Sequence, residues 1–118
     1  MSALEWKLYL DSMPRPTPLE SCALLDARFG LTRSNNAEIL AAWLLLALES
    51  GYVEVVERAE EFLASVGRMK FLRPLYLAFA RHPELRGRAE RLLSRVGHRY
   101  HPIARAAVAR AIGKGEQS

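Results

Sequence analysis

The stretch Ile39-Leu40-Ala41-Ala42-Trp43-Leu44-Leu45-Leu46-Ala47-Leu48 is ten residues long and wholly apolar. A membrane-spanning helix needs about 20 such residues, so this run is too short to cross a bilayer. A helix apolar all round must be surrounded by other protein. Asn36 ahead of it is a good N-cap, and Gly51 ends it after Ser50. These residues predict a buried helix at the centre of a soluble fold, and they set how the flanking segments are read.

Toward the N-terminus, Leu4 to Met13 reads as a short first helix, ended by the cluster Pro14, Pro16 and Pro18. Thr17 is expected to cap a second helix with Pro18 at its first position and Gly30 after its end. Thr32-Arg33-Ser34-Asn35-Asn36 is a polar connector to the central helix. Toward the C-terminus, Tyr52, Val55, Val56, Ala59, Phe62, Leu63 and Val66 recur with the 3.6 period of a fourth helix. Its acids Glu54, Glu57, Glu60 and Glu61 are expected to face water, and Gly67 to end it. A fifth helix is expected over Pro74 to about Arg81. Pro83 opens a sixth, with Leu85, Ala89, Leu92, Leu93 and Val96 inward and Arg86, Arg88, Arg91 and Arg95 outward. Gly97 ends it, and Pro102 opens a seventh carrying Ile103, Ala107, Val108 and Ile112. The tail Gly113 to Ser118 is polar and expected to fray.

Every segment thus reads as helix, and the expected class is all-α in a single helical domain over residues 1–118. Successive helices joined by short loops run antiparallel. Stacked antiparallel hairpins forming a short α-solenoid, an armadillo- or HEAT-like right-handed superhelix, fit the pattern. A short internal echo points the same way: Ser65-Val66-Gly67 leading to Pro74-Leu75 resembles Arg95-Val96-Gly97 leading to Pro102-Ile103.

The net charge of +4 hides an asymmetry. Residues 1–65 hold five Arg/Lys against ten Asp/Glu, a balance of −5, and residues 66–118 hold twelve against three, a balance of +9. A basic half of this size suits nucleic acid, an acidic protein surface or an anionic substrate, and equally suits solvated arginine-rich faces. Cys22 is the single cysteine, so no internal disulfide forms and a reducing cytoplasm is the expected compartment. It is read as a small core residue. Met1 to Met13 contains Glu5, Lys7 and Asp11 where a signal peptide would need an apolar segment.

Catalytic groups are sparse. His98 and His101 stand three apart, but a catalytic zinc needs three protein ligands and a water, and no HExxH occurs. His101 reads instead as a loop residue hydrogen-bonded to nearby backbone, and His82 as a loop residue before Pro83. No GxSxG, Walker-type loop or GxGxxG is present. The chain alone is expected to catalyse nothing.

Gly67-Arg68-Met69-Lys70-Phe71-Leu72-Arg73-Pro74 is different. It sets three cations at the expected bend between the fourth and fifth helices. Arg68 can take a carboxylate through two parallel hydrogen bonds, and Lys70 adds a mobile point charge. Lys70 is one of three lysines beside fourteen arginines, so lysine is not the default cation of this chain. An anion site and ordinary surface salt bridging both fit these residues.

Together with Asn35-Asn36-Ala37-Glu38-Ile39, Trp43-Leu44, Leu75-Tyr76 and His101-Pro102-Ile103, that segment resembles the C-terminal helical domain of the leukotriene A4 hydrolase and aminopeptidase B family. The likeness runs from about Glu5 to about Ile112, and the GRMKF-x-RPL segment is its specific part. The resemblance implies a parent zinc aminopeptidase with a β-rich N-terminal domain, a catalytic domain bearing HExxH, and this helical domain packed on the catalytic one. It implies no cofactor in this chain and zinc in the parent catalytic domain. Arg68 matches the family arginine that binds the substrate carboxylate, of a peptide or fatty acid, and Lys70 the lysine that assists; Arg73 takes a structural role by default. The partners implied are the catalytic domain of the same polypeptide and a peptide carboxylate, with no membrane. Weak self-association of the isolated chain is expected. The alternative is a basic helical-repeat module for nucleic acid or an acidic protein partner. Nucleic acid is disfavoured, because no aromatic residues interleave the arginines of the sixth helix.

Overall fold

Seven α-helices and three short 3-10 turns make up the computed structural model, which describes residues 2–117, with side chains through Lys114. No strand occurs among the described residues, so the all-α class holds. The helices are α1 (Ala3–Ser12), α2 (Leu19–Phe29), α3 (Ala37–Glu49), α4 (Val56–Ser65), α5 (Met69–Arg81), α6 (Arg86–Val96) and α7 (Pro102–Gln117). They form two compact units, Met1–Arg58 and Ala59–Ser118.

The first unit is built on α3. Leu40, Ala42, Trp43, Leu44, Leu46, Ala47 and Leu48 are all buried, and α3 packs against α1 and the two 3-10 turns of this unit, Leu31–Arg33 and Val53–Val55. Its N-terminus is capped as expected, with the Ile39 amide donating to Asn36 Oδ1 at 3.1 Å. α1 starts in a reciprocal cap: the Glu5 amide donates to Ser2 Oγ at 3.2 Å and the Ser2 amide to Glu5 Oε1 at 3.1 Å. α2 ends at Gly30, whose φ of 61° is the left-handed turn a side chain would resist. Cys22 is buried, as read from the sequence.

Two local expectations change here. Thr17 does not cap α2: its hydroxyl donates to the Pro14 carbonyl at 2.6 Å and its amide to Ser50 Oγ at 2.9 Å, so Thr17 fastens the proline loop and Pro18 takes the cap position. Arg15 supports the same loop, donating from Nη1 to the carbonyls of Leu10 (2.9 Å) and Met13 (2.8 Å) and pairing with Glu49 at 3.2 Å. Thr32, read as part of a polar connector, is a hub. Its hydroxyl donates to Asp26 Oδ2 at 2.7 Å and accepts from Trp43 Nε1 at 2.9 Å, and its carbonyl accepts from Arg58 Nε at 3.0 Å. Buried indole N–H groups need a partner, and Thr32 supplies it.

The second unit is built on α5, which packs chiefly on α7. Phe71, Leu72, Leu75, Tyr76, Ala78, Phe79 and Ala80 of α5 are buried, as are Ala104, Ala107, Val108, Ala111 and Ile112 of α7. At Gly97, where α6 turns, a Cβ would stand 3.0 Å from Leu93 Cδ1, so a larger residue there would require that leucine to shift. Boundaries move here as well. α6 begins at Arg86 rather than at Pro83, after a turn closed by the Leu85 amide on the His82 carbonyl at 2.9 Å. Glu60 does not face water, nor Arg88 simply solvent, since both Nε and Nη2 of Arg88 grip the Glu60 carboxylate. Arg86 Nε donates to the Ala80 carbonyl at 3.1 Å, near the end of α5. α7 runs on through Gly113 to Gln117, where a frayed tail was expected. Ser118 of that tail lies outside the described residues. The echo between residues 65–75 and 95–103 does not extend to structure, because Pro74 lies inside a helix and Pro102 opens one.

Candidate functional site

The helix that carries the cations starts earlier than its proline suggests. Proline lacks an amide and suits a first helical position, so Pro74 reads in sequence as the start of α5. The helix instead begins at Met69 and passes through Pro74. The reason is burial: Phe71 and Leu72 stand one turn before Leu75 and Tyr76, and all four are core residues. Burying an aromatic and a leucine side chain contributes on the order of 1.5–3 kcal/mol each. That offsets an interior proline at about 3 kcal/mol.

This shift re-places the expected site residues. Arg68 is the N-cap of α5, with extended backbone (φ −78°, ψ 128°), and its side chain makes no capping hydrogen bond. Lys70 lies in the first turn of the helix. Both side chains are exposed. The Lys70 ammonium sits 5.0 Å from the centroid of the Phe71 ring, which in turn meets Phe62 edge-on at 5.6 Å. Arg73, one turn on, is exposed and makes no hydrogen bond or ion pair among the described residues that would give it a structural role.

The electrostatics of this end are unusual. A helix N-terminus carries about half a positive charge and stabilises acids, not bases. The first turn of α5 contains no acid, and no Asp or Glu occurs anywhere between Phe62 and Pro83. Two long cations therefore stand at a helix end whose own first turn holds no acid. Such an end accepts a carboxylate or phosphate.

Other titratable groups have structural explanations. His101 Nδ1 accepts from the Ile103 amide at 3.1 Å and His82 Nδ1 from the Glu84 amide at 3.3 Å. Burial pushes the Cys22 thiol up despite its hydrogen bond with Ser50. Tyr76 and Tyr100 are both pushed up by burial. Tyr100 donates to the Leu63 carbonyl at 2.7 Å, leaving its oxygen to accept from Tyr76 at 2.8 Å. Among the described residues no three His, Cys, Asp or Glu side chains come together as a metal-holding group. Among those residues, too, no helix is long and apolar enough to cross a membrane.

The family model described as leukotriene A4 hydrolase, C-terminal, matches residues 1–112, and the chain belongs to that family. Leucine aminopeptidase 2 of Aspergillus niger is 35% identical over 111 residues, which is 92% of this chain and 18% of that protein. Leucine aminopeptidase 2 of Ajellomyces capsulatus is 36% identical over 94 residues, 80% of this chain and 15% of that protein. The enzyme of the same name from Neurospora crassa is 33% identical over 101 residues, 86% and 15%. The chain therefore spans less than a fifth of the length of these relatives.

Proposed function

We infer that the chain works as the non-catalytic C-terminal domain of a zinc-dependent aminopeptidase, packed on the catalytic domain of the same polypeptide. In this reading Arg68 and Lys70 hold the carboxylate of a peptide substrate, and zinc belongs to the catalytic domain. A reducing cytoplasm suits its buried, unpaired Cys22. The observation that carries the site is the mismatch at α5: bases stand at a positive helix end that has no acid in its first turn. Their placement works against helix stability and is accounted for if an external anion completes it.

Arg68 and Lys70 are exposed in this chain; with the catalytic domain packed over them, a carboxylate they hold would be dry, and it would fix the distance from the substrate's charged end to the reacting bond. Truncating one partner of such a desolvated pair costs about 2–5 kcal/mol, and ~1.4 kcal/mol is tenfold. Arg68→Ala in the full-length aminopeptidase is therefore expected to lower kcat/KM on short peptides at least tenfold, while Arg68→Ala leaves peptides with an amidated C-terminus unaffected. Equal turnover of free-acid peptides by the variant would remove Arg68 from the mechanism.

A further inference from the structure

Lys70, Arg73, Leu77 and Arg81 follow one another at intervals of three, four and four residues, which lines them along one side of a helix. The opposite side of α5 is the buried one. Arg73 and Arg81 are exposed and Leu77 half-buried. Two arginines of this unit are engaged at short range, Arg88 with Glu60 and Arg86 with the Ala80 carbonyl. Among the described residues Arg73 and Arg81 have no such partner. The 22 residues from Phe62 to Pro83 supply no acid to offset them.

We propose that the part of this stripe made by Arg73, Leu77 and Arg81 is a docking surface for acidic side chains of a peptide, extending the carboxylate site of Arg68 and Lys70 along α5. The proposal takes its location from the carboxylate reading above. From Lys70 to Arg81 the helix rises about 16 Å, the span of about five extended residues. Leu77 offers an apolar contact midway. A peptide fits the stripe better than a nucleic acid, because single strands bind through stacked bases and the aromatic residues of α5 all face inward: Phe71 is 7% exposed, and Tyr76 and Phe79 are fully buried.

The test is a titration of the 118-residue chain with labelled hexapeptides at low salt, with helicity of each variant checked by circular dichroism. The peptides carry either two Asp/Glu or two Gln/Asn, one next to the C-terminus and one near the N-terminus, each as free acid and as amide. The two acids are expected to tighten binding about fivefold, as two exposed charge pairs would, in both the free-acid and the amide series. Arg73→Gln/Arg81→Gln should abolish that gain and keep the advantage of the free acid. Arg68→Gln/Lys70→Gln should do the converse. Acidic and neutral peptides binding alike, or a gain that survives Arg73→Gln/Arg81→Gln, would overturn the stripe. So would an oligonucleotide that outcompetes the acidic peptide at equal charge. Loss of the free-acid advantage in the unsubstituted chain, with the acidic gain intact, would uphold the stripe and overturn the carboxylate reading instead.

Discussion

Tyr100 joins three parts of the second unit through one hydroxyl. The last four carbonyls of a helix lack intrahelical partners, and Tyr100 satisfies one of them, Leu63 of α4, while its oxygen accepts from Tyr76 of α5. Tyr100→Phe leaves both a buried carbonyl and a buried hydroxyl unpaired, so it is expected to cost about 2 kcal/mol. Tyr76→Phe removes only a donor and should cost about 1 kcal/mol. Urea unfolding of the two variants gives the comparison, and an equal or reversed order would disprove this division of roles. Both hydroxyls have their pKa raised, chiefly by burial. A raised folded pKa favours the folded state fully below the unfolded tyrosine value, about 10, and that contribution is lost as pH climbs beyond it. Unfolding should therefore become easier above pH ~10, and less steeply so in Tyr76→Phe. None of these partners is legible in sequence, since each hydrogen bond joins residues 24 or 37 positions apart. Cys22 and Asn36, whose roles are local or simply apolar, were legible.

At the scale of the element, α5 places a binding function and helix stability in opposition. Arg68 occupies an N-cap whose extended backbone would suit serine. Arg68→Ser is expected to stabilise the domain by about 1 kcal/mol, visible as a rise in Tm of about 4–8 °C, while abolishing the preference for free-acid peptides. A variant that loses both stability and binding would show Arg68 to be a structural residue. The helix itself shows where sequence reading stops. Proline at 74 is a strong local signal for a start, and it sent the expected boundary five residues too far along. With that boundary Arg73 and Lys70 fell outside the helix, and the stripe that ends at Arg81 had no common face. A register beginning at Met69 would have revealed it.

For the molecule as a whole, the informative surface is apolar as well as charged. In the first unit Leu4, Leu8 and Leu24 are 65%, 58% and 69% exposed, and leucines so open on helices suit contact with another protein surface. Weak self-association of the isolated chain should follow, measurable by sedimentation at rising concentration. Leu8→Ser/Leu24→Ser should reduce it while changing stability by no more than about 0.5 kcal/mol for each exposed site. A strict monomer at high concentration would contradict this use of the surface. The sequence by itself determined the all-α class, the seven helices in order and the burial of α3, because hydrophobic period, caps and breakers act within a few residues. It also determined the acid-free run that surrounds Arg68 and Lys70. Only the tertiary structure decided that α5 continues through Pro74, that Glu60 belongs to Arg88, and that Thr32 and Tyr100 are hubs. Those outcomes depend on which distant groups share a buried space, where packing outweighs a proline and an unpaired hydroxyl must find its acceptor.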